Sequence, residues 1–253
     1  MNVTSMRGAV ALAGVVWALA PARTACAQTT WSDHARISVN VGAQQAASTF
    51  SGTTMNPIYG QTSTLTTSYS VPKGQFFDGG VTLRISGGFG IDVSASAFSK
   101  SQTAPVSGTI PHPFVMGVER PISGVSPELE RSEVAGYIDA AYVFSARGVD
   151  LVVSAGPAFF TVNQDLVGNV TFAEGPFNDT VAFTGAVVSR ETATSIGFNA
   201  GIDLGVKLSK YVGVGGLFRY SRASVTLPLE GAPSGVHTDA GGPQIGGGVR
   251  IYF

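Results

Sequence analysis

Cysteine is almost missing from this chain: Cys26 is the only one in 253 residues. It falls inside an N-terminal leader, so the remainder has no thiol for a disulfide framework or a cysteine-ligated metal. Charge is scarce too. Asp, Glu, Lys and Arg make up 12% of the sequence, against ~25% in ordinary soluble domains. A formal net charge of −1 provides no basic footprint for nucleic acid. Long apolar runs are lacking as well. Past the leader none reaches the ~18 residues that would suggest a transmembrane helix. Yet glycine is abundant at 33 residues and mean hydropathy is +0.24. A chain this apolar, with no spanning helix, points to a closed β-barrel, the other structure that satisfies every backbone N–H and C=O in lipid.

The leader reads plainly. Met1 to Arg7 carry one positive charge, Gly8 to Ala20 form an uncharged apolar run, Pro21 breaks it, and Ala25-Cys26-Ala27 offers a signal-peptidase pattern. We expect residues 1–27 to be removed and residues 28–253 to form one barrel domain. The rival, a lipoprotein acylated at Cys26, normally has Leu three residues before the cysteine, where this chain has Arg23.

Alternation with period two recurs through the rest. In Ser195–Leu208, Ile196, Phe198, Ile202, Leu204 and Val206 share one face, while Gly197, Asn199, Asp203, Gly205 and Lys207 share the other. So many glycines exclude a helix. Similar segments begin near Arg36, Phe77, Phe89, Ile138, Asp150 and Val212, and the last ends the chain at Phe253. That makes eight strands. Their apolar faces point to lipid and their polar faces to the lumen. A soluble barrel with the apolar face inward would need a more charged exterior than the glycine and serine of these polar faces.

The connections alternate in length. Three are tight: Ser86–Gly88, Ser145–Gly148 and Ser209–Tyr211. Four are long: about Ala46–Gln75, Ser101–Ser132, Gln164–Thr194 and Pro228–Asp239. Short periplasmic turns and long outer loops are the pattern of bacterial outer-membrane barrels, and both termini would then be periplasmic. Phe89, Phe144 and Phe253 would form one aromatic girdle, and Phe77, Phe159 and Tyr220 the other. Asn169–Ala173 and Thr180–Val188 should prolong strands five and six into a protruding hairpin around Gly175–Asp179. Ser63–Val71 should extend strand two or form an additional strand. The sequence stops at the last barrel strand, so no periplasmic module is expected.

With these features the chain resembles the small outer-membrane β-barrels of the OmpA/OmpX type. The resemblance covers roughly Trp31 to Phe253. It rests on the leader, the eight-strand alternation, the loop asymmetry and the terminal Gly248-x-x-Ile251-x-Phe253. It implies an all-β, eight-stranded antiparallel up-and-down transmembrane barrel in the bacterial outer membrane. It further implies that Gly248, Ile251 and Phe253 are read by the barrel-assembly machinery. Members serve as anchors, adhesins, conduits and, rarely, lipid-modifying enzymes, and fold does not decide among these.

Alternation points Asp78, Arg84, Asp92, Asp139, Asp203, Lys207, Arg219 and Arg250 into the lumen, four acids against four bases. An eight-stranded barrel is just wide enough for its side chains to fill, and buried charges need partners. We expect an ion-pair network that plugs the barrel; a narrow polar pore is the alternative.

No catalytic residue, metal site or cofactor is expected. Lipid-deacylating barrels set His and Ser two residues apart on an outward face, and His34, His112 and His237 all lack that spacing. They read as solvated loop histidines. Glu119, Glu128, Glu130, Glu133, Asp165, Glu174 and Asp179 read as solvated loop charge, their spacing matching no Ca²⁺ loop. Glycine clusters such as Gly246–Gly248 match no phosphate-binding motif and suit close strand packing. Pro105, Pro111, Pro113, Pro121 and Pro127 stiffen the second long loop. The expected function is therefore structural or adhesion-like, through the long loops. The expected partners are outer-membrane lipid, lipopolysaccharide and an extracellular ligand, with the barrel as a monomer. A small porin-like channel is the alternative, and a membrane-embedded lipid hydrolase a remote one.

Overall fold

The computed structural model describes residues 32–45 and 48–253. The expected leader, residues 1–27, lies outside them. Twelve strands are present: β1 (Ala35–Gln44), β2 (Ser48–Ile58), β3 (Gln61–Val71), β4 (Gly74–Ser86), β5 (Phe89–Gln102), β6 (Pro105–Pro111), β7 (Glu119–Val125), β8 (Leu129–Ala146), β9 (Val149–Glu174), β10 (Val181–Lys207), β11 (Val212–Leu227) and β12 (Val236–Tyr252).

Eight of them close an antiparallel barrel in the order β1-β12-β11-β10-β9-β8-β5-β4. The seam is between the chain ends. Ile37 pairs with Ile251 and Asn40 with Gly248. The outward face is apolar on every strand. Val39, Phe77, Ile91, Ile138, Val153, Ile202, Val214 and Val249 are each more than two-fifths exposed. A belt of exposed aliphatic and aromatic side chains around a whole barrel is stable in lipid and would aggregate in water. Phe89, Phe144, Tyr211 and Phe253 lie exposed toward the tight turns, and Phe77, Phe159, Phe198 and Tyr220 toward the long loops. The turn at Arg147-Gly148 has both residues at positive φ, 49° and 82°, as a two-residue hairpin whose twist suits its strands requires.

The long-loop end departs from expectation. Within the segments Ala46–Gln75 and Ser101–Ser132, taken as loops, residues 48–71 and 105–125 hold a second, four-stranded sheet in the order β2-β3-β6-β7. Ser63–Val71 belongs to β3, an extra strand, and joins the two hairpins: Thr64 pairs with Thr109 and Thr67 with Val106. The prolines fit this sheet. Pro57 and Pro121 sit on its edge strands β2 and β7, and Pro105 and Pro111 at the two ends of β6; there a missing N–H costs least. The third long connection is the protruding hairpin anticipated. β9 and β10 run 26 and 27 residues, where ~10 suffice to cross a membrane, and they stay paired up to Glu174 and Val181.

Sheet and hairpins share one apolar core. Leu65, Tyr69, Val106, Ile110 and Ile122 of the sheet pack with Phe160, Leu166 and Val170 of β9 and Val225 and Leu227 of β11. Gly124 of β7 lies against the Phe183 ring of β10, closely enough that a Cβ there would meet ring atoms at 2.2 Å. Hydrogen bonds fasten the sheet: Met55 N–H donates to Gly231 O at 2.8 Å, and Val167 N–H to the Tyr69 hydroxyl at 2.9 Å. The barrel thus has two storeys, with a polar interior toward the tight turns and an apolar, sheet-covered interior above.

Candidate functional site

Six of the eight charged residues assigned inward are buried in the lumen: Asp78, Asp92, Asp139, Asp203, Arg219 and Arg250. Lys207 and Arg84 are half-buried at the turn end. The network builds from that end. Lys207 Nζ lies 2.5 Å from Asp33 and 3.7 Å from Asp150, over the Tyr252 ring at 4.5 Å. Asp203 then takes two arginines, Arg250 at 2.7 Å and Arg36 at 3.1 Å. Above it Arg219 donates to Asp78 at 2.5 Å and to Ser94 at 2.9 Å, and stacks on Tyr137 at 4.2 Å. Asn40 donates to the same Asp78 at 2.8 Å. Such partnering is what makes burial of these charges affordable in a dry interior.

Asp92 and Asp139 are cross-strand neighbours on β5 and β8, and each is bonded to a neutral donor. Thr82 donates to Asp92 at 2.6 Å and Asn199 to Asp139 at 2.7 Å. Asn199 also donates to Gly156 O at 3.3 Å. There Pro157, which has no N–H, interrupts the β8–β9 ladder: pairing passes from Tyr137–Ala158 to Ala140–Ala155.

The structure adds members that alternation left unassigned. Arg36 and Asp150 were legible as polar-face residues. Arg131 and Glu133 were not, because they lie past the upper girdle, in the presumed loop. Arg131 is 1% exposed, donates to Glu133 at 2.7 Å and to Asp239 O at 2.8 Å, and forms a polar layer within the apolar storey, one level above Ala135 and Phe160. Gln44 joins Glu133 to Gln244, at 3.3 Å and 3.0 Å. The cavity lined by Arg36, Ser38, Asp78, Asp92, Asp203 and Arg219 measures only about 10 Å³, room for about one water.

The tips of the sheet and of the β9–β10 hairpin meet in a second polar cluster. Arg120, 2% exposed, binds the Glu174 carboxylate, Asn178 O at 2.8 Å and Pro111 O at 2.7 Å. The Arg120 N–H donors hold the Glu174 carboxyl below its ordinary range, and Glu174 in turn raises the Tyr59 phenol that donates to it at 2.8 Å. Burial pushes the Tyr69 phenol up as well. Gln61 joins the first tip to the second, donating to His112 O at 3.2 Å and accepting from Gly117 N–H at 2.8 Å.

This corrects the reading of His112 as solvated. It is 7% exposed, and its Nδ1 accepts from Phe114 and Val115 N–H at 3.2 and 3.1 Å. Of the acids read as solvated loop charge, Glu119, Glu128 and Asp179 are exposed as expected, while Glu133 is buried. Glu133 and Glu174 are paired as described, and Arg190 bridges Glu130 and Asp165 at 2.6 and 3.0 Å. His34 is exposed, and His237 Nδ1 lies 2.9 Å from Thr226 Oγ1. Among the described residues no three His, Cys, Asp or Glu side chains gather as a metal site would require. At the seam, a Cβ on Gly248 would meet Val39 O at 1.8 Å. Ile251 and Phe253 face outward.

No family model and no curated protein matches the chain. Among solved structures it is similar to the outer-membrane protein OprG of Pseudomonas aeruginosa, with a TM-score of 0.45, 10% identity, and 87% of this chain and 97% of that one covered. It is similar to neisserial surface protein A at a TM-score of 0.41 and 13% identity, over 87% and 97% of the two chains. The outer-membrane protease OmpT of Escherichia coli aligns at 0.45 and 8% identity, over 89% and 98%.

Proposed function

We propose that this chain is a non-enzymatic, monomeric outer-membrane barrel that carries a folded head above the membrane and acts through that head, in surface interaction. The single observation that carries the reading is the double closure of the lumen. The ion-pair network leaves a void of about 10 Å³, and above it Leu65, Ile110, Leu129, Phe160, Leu166 and Leu227, each at most 3% exposed, fill the interior with apolar side chains. That packing supports a lumen closed to hydrated solutes. The long-loop end, in contrast, is built as a structure with its own core.

The location proposed is the bacterial outer membrane, reached through removal of residues 1–27, with the tight turns in the periplasm. The apolar belt supports lipid as a partner. Lipopolysaccharide is the expected neighbour at the exposed ion pairs Arg190–Glu130 and Arg222–Asp239, which lie above the upper aromatic girdle. Gly248, Ile251 and Phe253 are proposed as the signal for barrel assembly.

The test is single-channel recording on residues 28–253, refolded in detergent, checked by a heat-dependent mobility shift, and inserted in a planar bilayer. The expected record is silent. Reproducible discrete steps would overturn this reading in favour of a small channel.

A further inference from the structure

Three hairpin tips converge at the far end of the head, and each turns a large apolar side chain to solvent. Tyr59 at the β2–β3 turn is 47% exposed, Phe114 and Met116 at the β6–β7 turn 80% and 84%, and Phe177 at the β9–β10 turn 89%. Isolated exposed apolar residues need no explanation, but a cluster does. Tyr59 and Gly60 hold positive φ, 52° and 72°, as a two-residue hairpin turn requires; at the third tip Phe177 holds φ 58°, a conformation a bulky residue adopts rarely.

The cluster is also held rigid. Arg120, Glu174, Gln61 and His112 tie the three tips to one another through the bonds given above, so few groups would have to be ordered on binding. It stands clear of the membrane. At ~3.3 Å per residue the stretch of β9 from Phe159 to Glu174 runs roughly 50 Å along the strand.

Charge names the occupant. Residues 48–71, 105–125 and 172–183 contain no lysine and a single arginine, Arg120, which is buried against Glu174. The acids there are Glu119, Glu174 and Asp179, with Glu119 and Asp179 open to solvent. An apolar platform with an acidic rim repels an anionic bilayer and a second copy of itself. It complements a polypeptide that sets basic residues around apolar ones.

We infer that the apex formed by Tyr59, Phe114, Met116 and Phe177, rimmed by Glu119 and Asp179, is a docking platform for a basic amphipathic polypeptide segment. The inference rests on the display function proposed above and names its partner class.

The test uses residues 28–253 in phosphatidylcholine nanodiscs, with empty nanodiscs as the baseline. The probes are a fluorescent amphipathic peptide of Leu and Lys, its Leu and Glu counterpart, and phosphatidylglycerol vesicles. Saturable binding of the Leu/Lys peptide above baseline is expected. It should weaken at least tenfold in the double variant Met116→Ser/Phe177→Ser, whose exposed positions spare the fold. It should also weaken in Glu119→Gln/Asp179→Asn, with a shallower salt dependence. Equal binding of the Leu/Glu peptide, preference for the vesicles, or affinity unchanged in both variants would overturn the platform. Binding lost instead in Glu191→Gln/Glu230→Gln, beside the β11–β12 turn, would overturn the platform and leave the display reading standing. Conductance steps from the same preparation would overturn the display reading itself.

Discussion

Arg219 shows what one residue contributes here. It sits in the lumen 3% exposed, bound to Asp78 and Ser94 and stacked on Tyr137. Removing one partner of a buried pair leaves the other charge uncompensated, at a cost on the order of 3–5 kcal/mol. Arg219→Ala should therefore lower the temperature of the gel-mobility transition well below that of the lipid-facing Val214→Ala. Equal transitions for the two variants would place Arg219 outside the supporting network. Glu174 makes a second prediction. Its folded-state pKa is depressed by Arg120, so its contribution is complete above the unfolded value of ~4.3. That contribution is lost as pH falls through the lower folded value. The methyl NMR signals of the head residues Ile110 and Ile122 should shift cooperatively below about pH 4 and hold steady in Glu174→Gln. An identical acid transition in both proteins would show that another group controls it.

At the scale of elements, much was legible in the sequence and the reasons differ. The eight barrel strands could be read because lipid on one side and a polar lumen on the other impose a strict period of two, as in Ile196–Leu208. Three of the four strands of the head sheet, β2, β6 and β7, could not. Only Ser63–Val71 was anticipated as an additional strand, and even there two of the five buried positions, Ser63 and Thr67 against Leu65, Tyr69 and Val71, are polar, so the alternation carries little hydrophobic contrast. Pro105, Pro111 and Pro121 then read as loop residues, although sheet ends and edges accept them. Arg131 and Glu133 were missed for a related reason. They lie beyond the girdle, where the sequence offers no sign that the barrel interior continues. The seam between β1 and β12 provides the prediction at this scale. Gly248 faces Val39 O too closely for a Cβ, whereas Phe253 is 60% exposed. Gly248→Ala should slow or block refolding of the purified chain into detergent micelles. Phe253→Ala should refold normally there and lose yield only in cells, where assembly is assisted. Normal refolding of both would deny Gly248 its part in closing the barrel.

The whole molecule is a stalk and a head, built from a closed barrel and a second, four-stranded sheet. β8 to β12 leave the membrane without interruption and become the walls of the head, and the hairpins β2–β3 and β6–β7 fold back as its remaining side. In the proposed reading, closure of the lumen and construction of the head are one design: the apolar side chains that stabilise the head also fill the upper barrel. The most direct test of that claim exploits the absence of cysteine beyond residue 26. Ser38, 8% exposed and lining the small lumen cavity, is replaced in Ser38→Cys within residues 28–253. The folded variant, embedded in liposomes, is exposed to a small charged methanethiosulfonate reagent. The account predicts no labelling until the protein is heat-unfolded. Rapid labelling of the folded barrel would contradict it and show that the lumen is open to solution.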